Sequence, residues 1–146
     1  MSDEKSFSKT SINWYPGHMA KTKREIEEDL KLIDVVVEII DSRIPISSRN
    51  PDIKKIIGNK DKIIVLNKSD LADKTENEKW VRFFKVHNQI AIIADCNSGQ
   101  GVNEIIRAME KSQEEKQVKY KEKGRIGRKT KVIVLRNSKC WEVFIY

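Results

Sequence analysis

The chain has 146 residues, of which 35% are charged and 38% hydrophobic, and its formal net charge at pH 7 is +7. This length is typical of one domain with one core, and no run of 18 apolar residues is present that would predict a membrane span. The two cysteines form neither a disulfide framework nor a metal-binding spacing, and residues 2–12 are too polar for a secretory signal, so a cytoplasmic chain is expected. The positive balance favours nucleic acid or an anionic membrane as partner, although a solvated lysine-rich surface has the same charge.

A turn and a helix are the first predicted elements. Residues 14–19, with the sequence WYPGHM, form a compact turn. Beyond it Met19, Ile26, Leu30 and Ile33 fall near one face of a helix.

Strands then alternate with helices along the chain. The predicted strands are 34–41, 62–66, 89–94 and 131–135. The predicted helices are 52–57, 76–86 and one that opens after Gly99-Gln100-Gly101, with apolar residues at 102, 105, 106 and 109. This alternation predicts a doubly wound α/β sheet of mostly parallel strands, in which ligands lie beyond the carboxyl ends of the strands.

One motif at such a strand end carries a specific chemistry. Asn67-Lys68-Ser69-Asp70 follows the apolar run 63–66. The Asp70 carboxylate can accept hydrogen bonds from guanine N1–H and the 2-amino group, whereas adenine has neither donor; bidentate base reading of this kind gives roughly 1–3 kcal/mol of discrimination. The aliphatic part of Lys68 can cover the purine, and Asn67 can bond the base and tie neighbouring loops together. The alternative is a polar turn that caps the strand.

Other polar groups are predicted at the same edge of the sheet. Asp41 ends the first strand, and the loop 95–101 follows the third. Because the carboxyl ends of parallel strands share an edge, we expect these groups to lie close to Asn67 and Asp70.

Several ordered motifs together resemble those of a known family. The chain is similar to the circularly permuted ribosome-assembly GTPases, and closely to the ribosome biogenesis GTPase A (YlqF-type) family, over residues 12–135. The matching segments are Trp14-Tyr15-Pro16-Gly17-His18-Met19-Ala20-Lys21, the run 41–51 (DSRIPISSRNP), Leu66-Asn67-Lys68-Ser69-Asp70 and Ser98-Gly99-Gln100-Gly101.

The resemblance implies a partial circularly permuted P-loop GTPase domain that binds GTP. Asn67, Lys68, Ser69 and Asp70 would hold the guanine base, and the loop at Asp95 and Cys96 would add a backbone contact to it. At the positions of Asp95 and Cys96 the family has Ser or Asn followed by a small residue, so both residues depart from the pattern. Asp95 also brings a negative charge near the base. A plain strand-to-helix turn explains the same loop.

Basic residues in the first half of the chain are candidate RNA contacts. The resemblance places the WYPGHM turn and the 41–51 loop near ribosomal RNA and a switch region, and basic side chains there suit phosphate contacts. The candidates are His18, Lys21, Lys23, Arg24, Arg43 and Arg49. An ordinary helix cap and a polar loop are the alternative explanation, which is preferred if the resemblance is left aside. The basic stretch 121–131 is either an RNA-contacting linker or a solvated connector between helix and strand.

The phosphate-binding motif G-x-x-x-x-G-K-[ST] is missing from the sequence. The resemblance places it directly after the strand 131–135, where residues 136–146 read RNSKCWEVFIY. We therefore expect a segment 1–16, a partial guanine-binding GTPase domain 17–135 and an aberrant tail 136–146.

The expected function is that of a GTP-binding protein of the large-subunit assembly type that is itself unable to hydrolyse GTP. Its partners would be a guanine nucleotide and the large ribosomal subunit or its RNA, with Mg²⁺ needed only by the full-length family member. No membrane partner and no stable oligomer are expected, but an incomplete sheet with an open edge would favour non-specific association. The alternatives are a non-catalytic basic RNA-binding module and a nonfunctional remnant.

We hypothesise that a single-nucleotide frameshift produced the tail. One permitted codon set for residues 136–146, read one nucleotide later, encodes Gly-Ile-Pro-Asn-Val-Gly-Lys-Ser-Ser-Phe, and Trp141 followed by Glu142 forces glycine in that frame. Nucleotide sequencing of the gene is expected to show this loop in the shifted frame. Codons incompatible with it would exclude the hypothesis.

Overall fold

A central five-stranded sheet organises the chain in the computed structural model, which describes residues 24–25, 27–49, 51, 53–124, 129–136 and 140–145. The strands are β1 (Val35–Asp41), β2 (Asp61–Asn67), β3 (Ile90–Ile93), β4 (Lys131–Arg136) and β5 (Cys140–Ile145). Their order is β3-β2-β1-β4-β5, and all pairs are parallel except β4 with β5.

Helices connect the parallel strands. They are α1 (Ile53–Ile57), α2 (Lys74–Val86) and α3 (Val102–Glu122), with a 3₁₀ turn at Ser69–Leu71 and helical residues at 24–25 and 27–30. Among the described residues the predicted strands and helices are therefore present in the predicted order, shifted by a few residues at their ends, whereas the turn at 14–19 and the helix positions Met19 and Ile26 lie outside those residues. The last helix runs well past its apolar stripe because its second half is rich in Glu, Lys and Gln, which favour helices.

Apolar clusters lie on both faces of the sheet, as a doubly wound fold requires. On one face α3 packs through Ile105 and Met109 against alternate residues of β1, β2 and β4. On the other face Ile57 of α1 and Phe84 of α2 cover the remaining residues of those strands. The near-continuous apolar run of β1 is thus explained by burial on both sides.

The order of strands creates a crevice beside β1. The chain moves outward from β1 to β2 and β3 and then returns to form β4 on the other side of β1. A sheet of this kind opens a crevice at the carboxyl ends of the strands where the direction reverses, here between β1 and β4. Asp41 and Asn67 are paired in register at this edge.

The tail differs from what the sequence predicts. Residues 140–145 form β5, which pairs antiparallel with the whole length of β4 and so covers the edge that was expected to be open. A strand is favoured here because residues 140–145, CWEVFI, are mostly β-branched or aromatic. The outer edges of the described sheet are now β3 and β5.

A buried ion pair fixes the loop after β1 to the sheet. Glu38, in the middle of β1, is 1% exposed. Arg49 donates two hydrogen bonds to its carboxylate, at 3.0 and 2.8 Å, and the Lys62 ammonium lies 3.5 Å away. The Arg49 guanidinium also lies over the Phe84 ring, 5.6 Å from its centroid. Burial of a carboxylate on an apolar face is tolerated only because these partners compensate it.

Arg49→Ala is expected to lower the free energy of unfolding by about 3–5 kcal/mol, because it leaves the Glu38 carboxylate without its main buried partner. The matched control is Arg43→Ala, which removes an equally bidentate but exposed partner from Asp41 and is expected to cost much less. Urea denaturation of both variants measures the difference. Equal shifts of the two midpoints would show that the Glu38 pair does not anchor the loop.

Candidate functional site

A cleft of about 370 Å³ occupies the crevice at the carboxyl ends of β1, β2 and β4. Its lining residues come from these strand ends and from the loop after β1: Ile39, Ile40, Asp41, Ser48, Asn67, Lys68 and Arg136. The structure therefore brings Asp41, Asn67 and Lys68 together at one edge, as expected from the parallel strands.

Asn67 joins two loops. The residue is 9% exposed, and its Oδ1 accepts a hydrogen bond of 2.9 Å from the backbone N–H of Cys96. A second bond, from the Ser69 N–H to the Ala94 carbonyl at 3.2 Å, ties the same two segments. The turn after β2 and the loop after β3 are therefore held as one unit.

Lys68 is anchored by charge. Its backbone lies in the left-handed region, with φ of 58°, and its Nζ is 3.3 Å from Oδ2 of Asp41. Arg43 donates three hydrogen bonds to the same carboxylate, two of them from its side chain at 3.0 and 2.7 Å. The hydrogen bonds from Arg43 and Lys68 hold the pKa of Asp41 well below its usual range, so that this carboxylate stays ionised and continues to hold both cations.

Asp70 presents a free carboxylate. It lies in the exposed 3₁₀ turn and makes no hydrogen bond to any residue that the structure describes. The N-terminus of α2 is capped instead by Asp73, whose side chain accepts from the Glu76 N–H at 3.0 Å. Asp70 is thus not used as a helix cap. Its negative charge helps to raise the pKa of Arg43.

Asn77 is a residue of this site that the sequence pattern did not indicate. It is 2% exposed, and its Nδ2 donates to the Ser69 carbonyl at 3.4 Å, which links α2 to the turn that carries Asp70. Its Oδ1 is buried without a partner among the described residues. An asparagine within a helix has no distinctive spacing in the sequence, so only the packing of α2 against the turn reveals it.

The acidic side chain of the loop after β3 is hydrogen-bonded within the loop. Asp95 accepts a hydrogen bond of 3.0 Å from the Asn97 N–H, and its pKa is lowered by hydrogen bonds from Ser98 and Asn97. The Cys96 N–H is already engaged by Asn67, and burial raises the pKa of the Cys96 thiol. The expected backbone contact from this loop to a base remains a prediction. In the structure the Cys96 N–H already has an acceptor, the Asn67 side chain.

The end of this loop approaches β3 closely. Gly101 has φ of 84°, and a Cβ at this position would lie 2.5 Å from the Ile93 carbonyl oxygen. Glycine is therefore required where α3 begins.

The candidate RNA contacts are dispersed. His18, Lys21 and Lys23 lie outside the described residues, and Arg24 is exposed on the first helical residues. Arg43 is bound to Asp41, and Arg49 is committed to the buried Glu38, which argues against a role for Arg49 in RNA contact. Within the part of the chain that the structure covers, no three His, Cys, Asp or Glu side chains are grouped to hold a metal ion, and no helix is long and apolar enough to cross a membrane.

Several known proteins have sequences similar to this chain. The chain is 47% identical over 113 residues to "Ribosome biogenesis GTPase A" of Bacillus cereus, a match that covers 77% of this chain and 38% of the relative. It is 42% identical over 107 residues to "Short integuments 2, mitochondrial" of Arabidopsis thaliana, covering 72% of this chain and 28% of that protein. It is 38% identical over 94 residues to "Mitochondrial ribosome-associated GTPase 1" of Mus musculus, covering 64% and 29%. No protein-family model matches the chain.

A solved structure is also similar. It is the GNP-bound YlqF of T. maritima, with a TM-score of 0.49 and 30% identity, and the match covers 78% of this chain and 41% of that one. The chain spans less than half the length of each of these proteins.

Asn67→Ala is expected to release the loop after β3, because the Cys96 N–H then loses its acceptor in a partly buried hydrogen bond, at a cost of about 1 kcal/mol. Amide hydrogen exchange followed by NMR should show faster exchange at Cys96, while amides in the centre of β1 are slowed as before. Unchanged protection at Cys96 would mean that Asn67 does not hold the two loops together.

Proposed function

Because the chain is homologous to the ribosome biogenesis GTPase A proteins over 77% of its length, we propose that it binds guanine nucleotides at the carboxyl edge of its sheet and acts in ribosome assembly. The relatives that carry this name are longer than the present chain, so the activity of the whole protein is part of the proposal. The base would be read by Asn67, Lys68 and Asp70.

The uncommitted carboxylate of Asp70 is the observation that supports base reading best. An exposed aspartate in a turn before a helix can cap the helix or pair with a neighbouring cation, and the nearby Asp73 does cap α2. Asp70 does neither among the described residues, although Arg43 and Lys68 are close by, because both cations are bound to Asp41. A free acceptor pair beyond the end of a parallel strand suits the two donors of a guanine edge.

The surrounding groups fit a purine as well. The link from Asn67 to Cys96 leaves the Asn67 Nδ2 without a partner among the described residues, so it can donate to an acceptor of the base. The ammonium of Lys68 is held by Asp41 on the side of the cleft, which leaves its aliphatic portion to cover a flat ligand. Asn77 supports the turn from below.

Phosphate binding needs more than these residues. The 146 residues contain no G-x-x-x-x-G-K-[ST] loop, which in GTPases binds the phosphates and contributes a hydroxyl to Mg²⁺. We therefore propose that this chain supplies recognition of the base and that hydrolysis requires groups outside it. Affinity for GTP is expected to be weak, since the base alone is held.

Titration of the chain with GTP and with ATP tests the proposal, with binding followed by calorimetry. GTP is expected to bind more tightly by about tenfold or more, because adenine lacks both donors for the Asp70 carboxylate. Asp70→Asn should abolish this preference and improve binding of xanthosine triphosphate, whose 2-oxo group accepts a hydrogen bond from the new amide.

Asp29→Asn is the matched control, since it removes an exposed carboxylate in the helical residues 27–30 and should leave the preference for GTP unchanged. Equal affinity of the unaltered chain for GTP and ATP would refute base reading, whatever the variants do.

A further inference from the structure

We propose that the amino-terminal edge of the sheet, opposite the candidate nucleotide site, is a docking surface for the phosphate backbone of RNA. Two clefts of about 330 and 520 Å³ lie along this edge and share Ile57 and Lys60. We call the pair of clefts the basic edge. The first lies against the starts of β2 and β3 and the second against the segment that leads into β1.

The basic edge carries an excess of positive charge. Its lining includes five lysines and two aspartates, an excess of three positive charges. The lysines are Lys31, Lys54, Lys60, Lys62 and Lys116, and the aspartates are Asp34 and Asp61. The cleft at the carboxyl edge, by contrast, has two basic residues and one acidic residue. The two ends of the sheet therefore differ in the ligand charge that they favour.

The carboxylates of the basic edge are already used within the chain. Asp61 Oδ2 lies 2.7 Å from the Lys116 ammonium and also accepts a hydrogen bond from Gln113 at 3.1 Å. Asp34 Oδ2 accepts from the Lys131 N–H at 3.0 Å. Neither aspartate is available to neutralise Lys31 or Lys54, whose ammonium groups make no ion pair or hydrogen bond with other described residues.

One of the exposed-edge lysines is held in place before any ligand binds. The Lys60 ammonium donates to the Ile33 carbonyl at 2.7 Å, at the point shared by the two clefts, and keeps protons for further acceptors. The Lys62 ammonium, by contrast, lies 3.5 Å from the buried Glu38 with its side chain 11% exposed, so it serves that ion pair and not a ligand. A fixed ammonium loses less conformational entropy on binding a phosphate than a free one.

RNA fits these features better than a membrane surface does. The lysines are distributed over two concave clefts that together extend across the sheet edge, which matches a chain of phosphates rather than a plane of lipid headgroups. The half-buried ring of Tyr120 lines the second cleft and offers an aromatic surface for an unpaired base. Lysine contacts of this kind position a nucleic acid without reading its sequence.

The test compares two doubly neutralised variants of the full chain. Lys31→Gln with Lys54→Gln removes the two unpaired ammonium groups of the basic edge. Lys74→Gln with Arg82→Gln is the control, since it removes the same charge from exposed positions of α2. Binding of a fluorescently labelled single-stranded RNA is measured by anisotropy between 50 and about 200 mM salt, the range over which phosphate contacts lose most affinity.

The basic-edge variant is expected to bind the RNA about tenfold more weakly at the lowest salt, and the slope of log K against log salt should shrink by about 0.7 for each lysine removed. The control variant should keep the slope of the unaltered chain. Both should keep its circular dichroism spectrum and its affinity for GTP, so failure of this proposal is distinguishable from failure of base reading.

Three outcomes would overturn the proposal. The first is that the unaltered chain binds no RNA, and the second is that both variants lose affinity equally, which would indicate a general effect of net charge. A loss of binding to phosphatidylserine vesicles by the basic-edge variant, with RNA binding unchanged, would assign the surface to a membrane instead.

Discussion

The parallel pairing of β1 with both β2 and β4 is the constraint on which the rest of the structure depends. It requires β1 to be buried on both faces, which the helices on each side satisfy, and it brings the carboxyl ends of three strands to one edge. The residues that follow those strand ends therefore lie close together. A candidate site whose parts are separated in sequence, such as Asn67 and Cys96, is a consequence of this topology.

Charge compensation decides which of the gathered side chains can meet a ligand. Asp41 binds Arg43 and Lys68, and Glu38 binds Arg49, so these three cations are committed to the chain itself. Asp70 makes no hydrogen bond or ion pair with the other described residues. At the opposite edge both aspartates are committed, and the ammonium groups of Lys31 and Lys54 have no partner among the described residues. The same few kinds of residue thus favour different ligands at the two ends of one sheet.

Several features that the sequence interpretation did not anticipate have one origin. Arg49 has the charge and the hydrogen-bond donors of a phosphate contact, but in the fold it lies over a face of the sheet where Glu38 is buried. Residues 140–145 read as an aberrant tail, yet they find a free edge of β4 and pair with it. Arg49 depends on a partner in another element, and β5 depends on an unpaired edge of β4. Neither can be predicted from the local sequence pattern.

The sequence by itself determined the α/β class, the order of the strands and helices and the position of the Asn67–Asp70 motif at the end of a strand, because hydrophobic period and turn residues are local properties. Only the tertiary structure decided that Asn67 ties its turn to the Cys96 loop, that Asn77 supports that turn and that Asp95 is satisfied within its own loop. It also decided that two clefts share one lysine-rich edge. The reason is physical: hydrogen bonds and ion pairs form between groups that the packing brings within about 3 Å of each other, and proximity in space is a property of the whole fold.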